Sequence, residues 1–163
     1  MESSRFGNFV LKVEGISKAI RKIKLGEAPK FGLKGVHLFW LCELLKRPDG
    51  IAASELAEIS NINRSLISRE LTALHKSGYI TTAHSGKHGY NAKLTLTRKG
   101  IETANRINDI AIGFQNRASC GISEDELASF YSTLDKIYSN LSRIAEEEAF
   151  ESADSALPEK EII

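Results

Sequence analysis

The sequence predicts an α+β protein that is mainly helical. Apolar residues recur at helical spacing near both ends of the chain. Between them, two short helices are joined by a tight polar turn, and a β-hairpin with a glycine-rich tip follows. This order of elements is the plan of a winged helix-turn-helix with an additional helical segment at each end.

The first 46 residues predict two helices of different character. In residues 8–24, apolar side chains alternate at spacings of four and three, which puts them on one side of a helix. This stripe consists of Phe9, Val13, Ile16, Ile20 and Ile23. Gly26 and Pro29 then break the pattern. Residues 33–46 are apolar on nearly every side, which predicts a helix buried at the centre of the fold.

The helix-turn-helix is predicted over residues 54–77. Ser54 is suited to cap a short helix that ends near Ile59, and Asn63 is suited to cap the next one. That second helix, residues 64–77, has an apolar side made of Ile67, Leu71 and Leu74. Its opposite side is polar and is free to meet a partner.

A small sheet is predicted around the hairpin. Residues 79–82 and 93–97 are rich in β-branched side chains, and residues 85–89 between them form a polar, glycine-rich tip. Residues 51–53 add one short strand. The hairpin is the wing of the predicted fold.

The C-terminal third predicts two further helices. One runs from Thr97 to about residue 117. The next begins at a capping box, Ser123 with Glu126, and carries an apolar stripe. This stripe consists of Leu127, Phe130, Leu134, Ile137, Leu141 and Ile144. The charged tail from residue 150 onward is predicted to be disordered.

These patterns divide the chain into four parts. They are an N-terminal dimerisation helix (1–28), the winged helix-turn-helix core (29–100), C-terminal dimerisation helices (101–149) and the tail (150–163). One small domain cannot easily cover both apolar stripes, which favours their burial in a homodimer. The predicted dimerisation residues are Phe9, Val13, Ile16, Ile20, Leu134, Ile137, Leu141 and Ile144.

The charges are distributed unevenly along the 163 residues, although the net charge is only +1. Residues 1–30 hold seven Lys and Arg against three Asp and Glu, and residues 31–100 hold ten against five. Residues 101–163 hold five against thirteen. The basic part therefore indicates a polyanionic partner, which for a helix-turn-helix is double-stranded DNA.

The DNA-contacting residues are predicted from the polar side of the second helix and from the hairpin. Arginine presents a fork that matches guanine O6 and N7, and serine and threonine can serve bases or phosphates. Cations at a hairpin can follow a groove or the phosphate backbone. The predicted residues are Ser54, Arg64, Ser65, Ser68, Arg69, Thr72, Lys87, His88 and Lys93.

The run GIAASELAEISNINRSLISRELTALHKSGYI, with a hairpin closing in LTLTRKG, resembles the core of MarR-family transcriptional regulators. The resemblance covers about residues 30–100. It implies an effector-responsive repressor that binds palindromic operators as a homodimer, with residues 64–77 as the recognition helix. The family wing commonly carries an Asp-x-Arg pair, but those positions hold His88 and Tyr90 here. The arginine that enters the minor groove is therefore missing, and a protein–protein interaction module without nucleic acid is the alternative function.

His37 and Trp40 leave two interpretations open. They lie three residues apart on the central helix, so they could line a pocket for a small-molecule effector, or pack in the core with hydrogen-bonded polar atoms.

The remaining side chains indicate no further chemistry. His84 and His88 do not share a helical face, and Cys42 and Cys120 make no metal or redox spacing, so no metal site is predicted. No nucleophile elbow, phosphate loop or catalytic carboxylate pair is present, so we expect neither an enzyme nor a cofactor. No apolar run reaches the roughly 18 residues of a membrane span, and no secretory signal is visible. We therefore expect a cytoplasmic protein without a membrane partner.

Overall fold

The computed structural model describes residues 2–60, 62–84 and 92–154. Its helices are α1 (Glu2–Glu27), α2 (Gly35–Leu45), α3 (Ala53–Ser60), α4 (Arg64–Lys76), α5 (Arg98–Ala118) and α6 (Glu124–Asp154), with a 3-10 helix at Ala28–Phe31. Its strands are β1 (Ile51–Ala52), β2 (Ile80–His84) and β3 (Ala92–Leu96). The predicted mainly helical α+β fold is confirmed. The chain divides into two compact units, Met1–Gly113 and Phe114–Ile163.

The sheet of the first unit is antiparallel, with the strand order β1-β3-β2. Ile80 pairs with Leu96 and Ile51 pairs with Leu94, so β3 is held on both sides. Strands β2 and β3 form the predicted hairpin. Its predicted tip, residues 85–89, lies outside the described residues.

Helix α2 lies at the centre of the first unit, as its apolar sequence predicts. Trp40 and Leu41 are completely buried. The indole Nε1 of Trp40 donates a hydrogen bond to Ser60 Oγ at 2.7 Å, so the buried polar atom is satisfied. Leu44 of α2 is also buried, and around this helix the core is completed by Ile51, Leu56, Ile67, Leu74, Ile80, Ala104 and Ile107.

Helix α5 begins inside this core. The first unit therefore ends later in the chain than the predicted winged helix-turn-helix core, which ended at residue 100. Gly100, Ala104 and Ile107 are all buried in the first unit. The unit therefore extends through the first four turns of α5 and ends at Gly113.

Gly100 is a position where only glycine fits. A Cβ built there would lie 2.0 Å from the carbonyl oxygen of Tyr79, a backbone atom in the turn before β2. We expect Gly100→Ala to lower the free energy of unfolding by about 2–3 kcal/mol, because the chain must shift to admit a methyl group. Gly113→Ala is the matched control on the same helix, since its Cβ would meet nothing within 4 Å. Urea unfolding of both variants measures the difference, and equal stabilities would contradict the packing.

Two helix ends differ from those predicted. Helix α3 begins at Ala53, so Ser54 lies in its first turn and does not cap it. Helix α6 continues to Asp154, so the predicted disordered tail is wrong for residues 150–154. The chain has no glycine or proline between Gly121 and Pro158, and nothing in residues 150–154 breaks a helix. Residues 155–163 lie outside the described part.

The second unit contains the predicted capping box at the start of α6. Glu126 Oε2 accepts from the backbone N–H of Ser123 at 2.9 Å and from its hydroxyl at 2.7 Å. These hydrogen bonds lower the pKa of Glu126 below its ordinary value.

None of the helices in the described ranges combines the length and the apolar character needed to cross a lipid bilayer.

Candidate nucleic-acid interface

Helix α4 is fixed at its start by the predicted cap. Asn63 Oδ1 accepts hydrogen bonds from the backbone N–H of Leu66 and from the hydroxyl of Ser65, both at 2.9 Å. Ile67, Leu71 and Leu74 are buried in the core. The buried side of α4 is therefore the one that the sequence predicts, and its polar side is left outside.

The structure brings several predicted DNA-contacting residues to the exposed side of α4. Ser65, Ser68, Arg69 and Thr72 are all exposed there. The hydroxyl of Thr72 donates to the carbonyl of Ser68 at 2.9 Å, which leaves its oxygen to accept from a partner. Exposed residues on neighbouring elements are Ser54 in the first turn of α3 and Lys93 on β3. Lys87, His88 and the side chain of Arg64 lie outside the described residues.

An open groove of about 810 Å³ is lined by residues of α4, of the first turn of α3 and of the sheet. Its floor is apolar and comes from the core, while hydroxyl and cationic groups stand along its edges. The polar lining residues are Ser54, Ser68, Thr72, His75, Lys76 and Thr82. Three predicted DNA-contacting residues, Ser54, Ser68 and Thr72, thus share one surface, and their role in binding remains a prediction.

An ionic network around the buried carboxylate of Glu70 lies at the edge of α4 opposite the groove, and the sequence interpretation missed it. The Glu70 side chain is 4% exposed. Its Oε1 accepts from Lys34 Nζ at 2.8 Å, and its Oε2 lies 3.1 Å from His37 Nε2. Arg69 Nε lies 3.4 Å from Oε1. The signal in the sequence is that Glu70 falls between Ile67 and Leu74 on the apolar side, where a charge needs a partner.

His37 has a defined role in this network. Its Nδ1 accepts from the backbone N–H of Lys34 at 3.2 Å, so in the neutral ring the proton is on Nε2 and is donated to Glu70. Burial lowers the pKa of His37 from its ordinary value, which favours this neutral form. Hydrogen bonding from Lys34 lowers the pKa of Glu70, which favours the carboxylate.

The structure places the two predicted effector-pocket residues in the core. His37 is 4% exposed and Trp40 is fully buried, and their rings are 5.8 Å apart. Their polar atoms are hydrogen-bonded to Glu70 and Ser60, which is the second interpretation that the sequence left open. Neither residue lines the groove beside α4. Their contact with an effector remains a prediction.

The lowered pKa of His37 predicts that mild acid destabilises the fold. Below the unfolded pKa of about 6.5 the unfolded chain binds a proton that the folded chain does not, so this contribution to stability is complete above that pH and is lost as the pH falls toward the folded value. The slope is at most about 1.4 kcal/mol per pH unit. Urea unfolding between pH 7.5 and 5 measures it. His37→Gln should flatten this slope, whereas the exposed His75→Gln should not, and equal slopes would contradict the assignment.

Comparison of the sequence alone yields no relative: no family model matches, and no curated protein does. Comparison of the fold yields many. A protein assigned to the MarR family of transcriptional regulators from Listeria monocytogenes, crystallised with a 26mer DNA, is similar with a TM-score of 0.75 and 23% identity. The similarity covers 82% of this chain and 89% of that one.

Two further solved structures show the same likeness. MepR of S. aureus, in a DNA-binding conformation, has a TM-score of 0.75 at 18% identity, covering 82% of this chain and 98% of that one. A MarR protein from Peptoclostridium difficile has a TM-score of 0.69 at 19% identity, covering 89% and 92%. At these identities the likeness establishes the fold. The resemblance to MarR regulators predicted from the sequence is therefore confirmed for the fold of the chain.

Proposed function

We propose that this chain, which has the winged-helix fold of MarR-family regulators, is a transcriptional regulator that binds double-stranded DNA through α4. The observation that carries the proposal is the polar face of that helix. Ser65, Ser68, Arg69 and Thr72 are exposed on it while the opposite face is anchored in the core. An exposed helix of this kind fits the major groove, where arginine and hydroxyl side chains read base edges.

The lysines near α4 support a partner with negative charge. Lys76, in the last turn of α4, lines the groove, and Lys93 is exposed on β3, one of the two strands of the wing. Such cations bind phosphates at any sequence, whereas the side chains of α4 distinguish one sequence from another. The missing wing arginine leaves Lys87, His88 and Lys93 as the candidate wing contacts.

The active form that we propose is a homodimer through α1 and α6. On α1, Val13, Ile16 and Ile20 are 43%, 57% and 47% exposed in the single chain. On α6, Leu141 and Ile144 are 38% and 46% exposed. A second copy of the chain supplies apolar cover for both helices. The basic charge of residues 1–30 also complements the acidic charge of residues 101–163.

A two-fold dimer carries two α4 helices, which suits an operator whose half-sites are related by symmetry. Regulation by a small-molecule effector follows if the effector prefers a different spacing of the two wings, because it then favours the form that releases DNA. We propose that the protein represses transcription in the cytoplasm in this way. It carries out no catalysis in this proposal.

DNA binding is tested by selection from a random-sequence duplex library with the full chain, followed by affinity measurements over a series of salt concentrations. The proposal expects an enriched, symmetric sequence, and an affinity that falls steeply with salt. Binding with no salt dependence, or no binding at all, would contradict it. A winged-helix protein–protein interaction module would then be the better interpretation. The DNA upstream of the protein's own gene is a second probe for the same measurement of DNA binding.

A further inference from the structure

The network around Glu70 joins two elements that have different tasks. Glu70 belongs to α4, whereas Lys34 immediately precedes α2 and His37 lies in its first turn. Both contacts cross between elements more than 30 residues apart in the sequence. They therefore fix the tertiary position of α4 and not its local helical structure.

These hydrogen bonds restrict the rotation of α4 about its own axis, which its apolar packing alone does not do. Burial of Ile67, Leu71 and Leu74 holds the helix against the core, but apolar contacts are non-directional and tolerate small rotations. Glu70 lies at one border of the buried face, and its two carboxylate oxygens have separate donors, 2.8 Å and 3.1 Å away. A rotation of α4 about its axis would break at least one of these bonds, because each has a narrow range of distance and angle.

The donors are themselves held in place. The Nδ1 of His37 accepts from the backbone of Lys34, which fixes both the orientation of the ring and its tautomer. The His37 side chain is 5% exposed, so its Nε2–H is shielded from solvent and depends on the carboxylate as its acceptor. Arg69, the residue before Glu70 in the helix, is on the exposed side, with 74% of its side chain accessible. Glu70, which is hydrogen-bonded to the core, thus directly follows Arg69, which is proposed to contact DNA.

We propose that Glu70 is a positioning residue that sets the rotation of α4 through Lys34 and His37, and thereby determines how well the protein distinguishes one DNA sequence from another. This inference rests on the proposed function. It assigns sequence discrimination in part to a buried carboxylate that touches no DNA.

The test compares Glu70→Gln with Glu43→Gln. Glu43 is also a buried carboxylate, but its partners are Lys46 and Arg47, at the end of its own helix, so its loss should reduce stability without moving α4. The probes are the duplex that the wild-type protein enriches most strongly and a shuffled duplex of the same composition. Glu70→Gln should lower the ratio of the two affinities by about tenfold while affinity for the shuffled duplex stays nearly constant. Glu43→Gln should leave the ratio unchanged.

A second pair of variants keeps the test decisive if Glu70→Gln does not fold. Lys34→Met removes only the more exposed partner, and Lys30→Met is its control. Both lysines make a 2.8 Å ion pair and are similarly exposed, at 64% and 62%, but Lys30 pairs with Glu27 and does not reach α4. The two variants lose the same charge, so a lower affinity ratio in Lys34→Met alone supports the inference. Amide hydrogen exchange in α4 without DNA should also be faster in Lys34→Met than in Lys30→Met.

The outcomes separate the two proposals. If the wild-type protein discriminates between the duplexes and both Glu70→Gln and Lys34→Met retain its ratio, the positioning role is wrong and the proposed function stands. If the wild-type protein shows no discrimination between sequences, the proposed reading of DNA by α4 is wrong, and the inference falls with it.

Discussion

Arg69→Ala is expected to weaken binding to the selected DNA sequence by about 1–3 kcal/mol per half-site, or roughly 5- to 160-fold. Arg69 lies near the middle of the exposed face of α4, and its side chain is 74% exposed. Arg69 Nε lies 3.4 Å from Glu70 Oε1. The fold does not depend on this contact, because Lys34 and His37 also hold the carboxylate. The variant should therefore fold normally, and its loss should fall mainly on the preferred sequence.

Two matched variants identify the origin of this loss. Arg143→Ala removes an arginine of α6 that also has a neighbouring carboxylate, Glu147 at 3.1 Å, and it should leave DNA affinity unchanged. Lys87→Ala, at the predicted hairpin tip, should weaken all sequences about equally and reduce the salt slope by about one unit per lost phosphate contact. Fluorescence anisotropy with selected and shuffled duplexes at several salt concentrations distinguishes these effects. Unchanged affinity and preference in Arg69→Ala would mean that α4 is not the reading helix.

The elements that could be predicted from the sequence are those whose signals are local. The helical spacing of Ile67, Leu71 and Leu74 identifies the buried face of α4, and Asn63 marks its start by side-chain capping chemistry. The polar, glycine-rich run at residues 85–89 indicates where the two predicted strands of the hairpin are separated. Each of these signals depends on neighbours within one or two turns of chain, which a single sequence contains.

The Glu70 network could not be predicted in the same way, because its partners come from distant parts of the chain. A charge on the apolar face shows that some partner must exist, but Lys34 and His37 are selected only when α2 and α4 pack together. The position of Gly100 is similar. Its need for glycine arises from the Tyr79 carbonyl, which the turn before β2 brings against α5. The end of α6 could not be predicted for another reason. Residues 150–154 lack an apolar period, but they also lack any residue that stops a helix.

The second large effect is expected at the proposed dimer interface. Replacing both Ile16 and Ile20 with Glu should raise the dissociation constant of the dimer by at least about 1000-fold. Each isoleucine is about half exposed in the single chain, so a partner that covers it contributes about 1 kcal/mol per side chain. Two substitutions appear twice in a two-fold dimer, which amounts to about 4 kcal/mol before any cost of burying the new charges.

Leu11→Glu with Leu25→Glu is the matched control. Both leucines are on the same helix and are 67% and 66% exposed, but helical periodicity places them opposite the stripe that contains Ile16 and Ile20. The charge change is identical, so only the face of α1 differs between the two double variants. Sedimentation velocity over a range of protein concentrations measures the dimer in each. The stripe variant should sediment as a monomer or aggregate while the control remains a dimer, and binding of the symmetric DNA should be lost with the dimer. A stripe variant that stays dimeric would place the interface elsewhere, because four half-exposed isoleucines replaced by charges cannot be accommodated between packed helices.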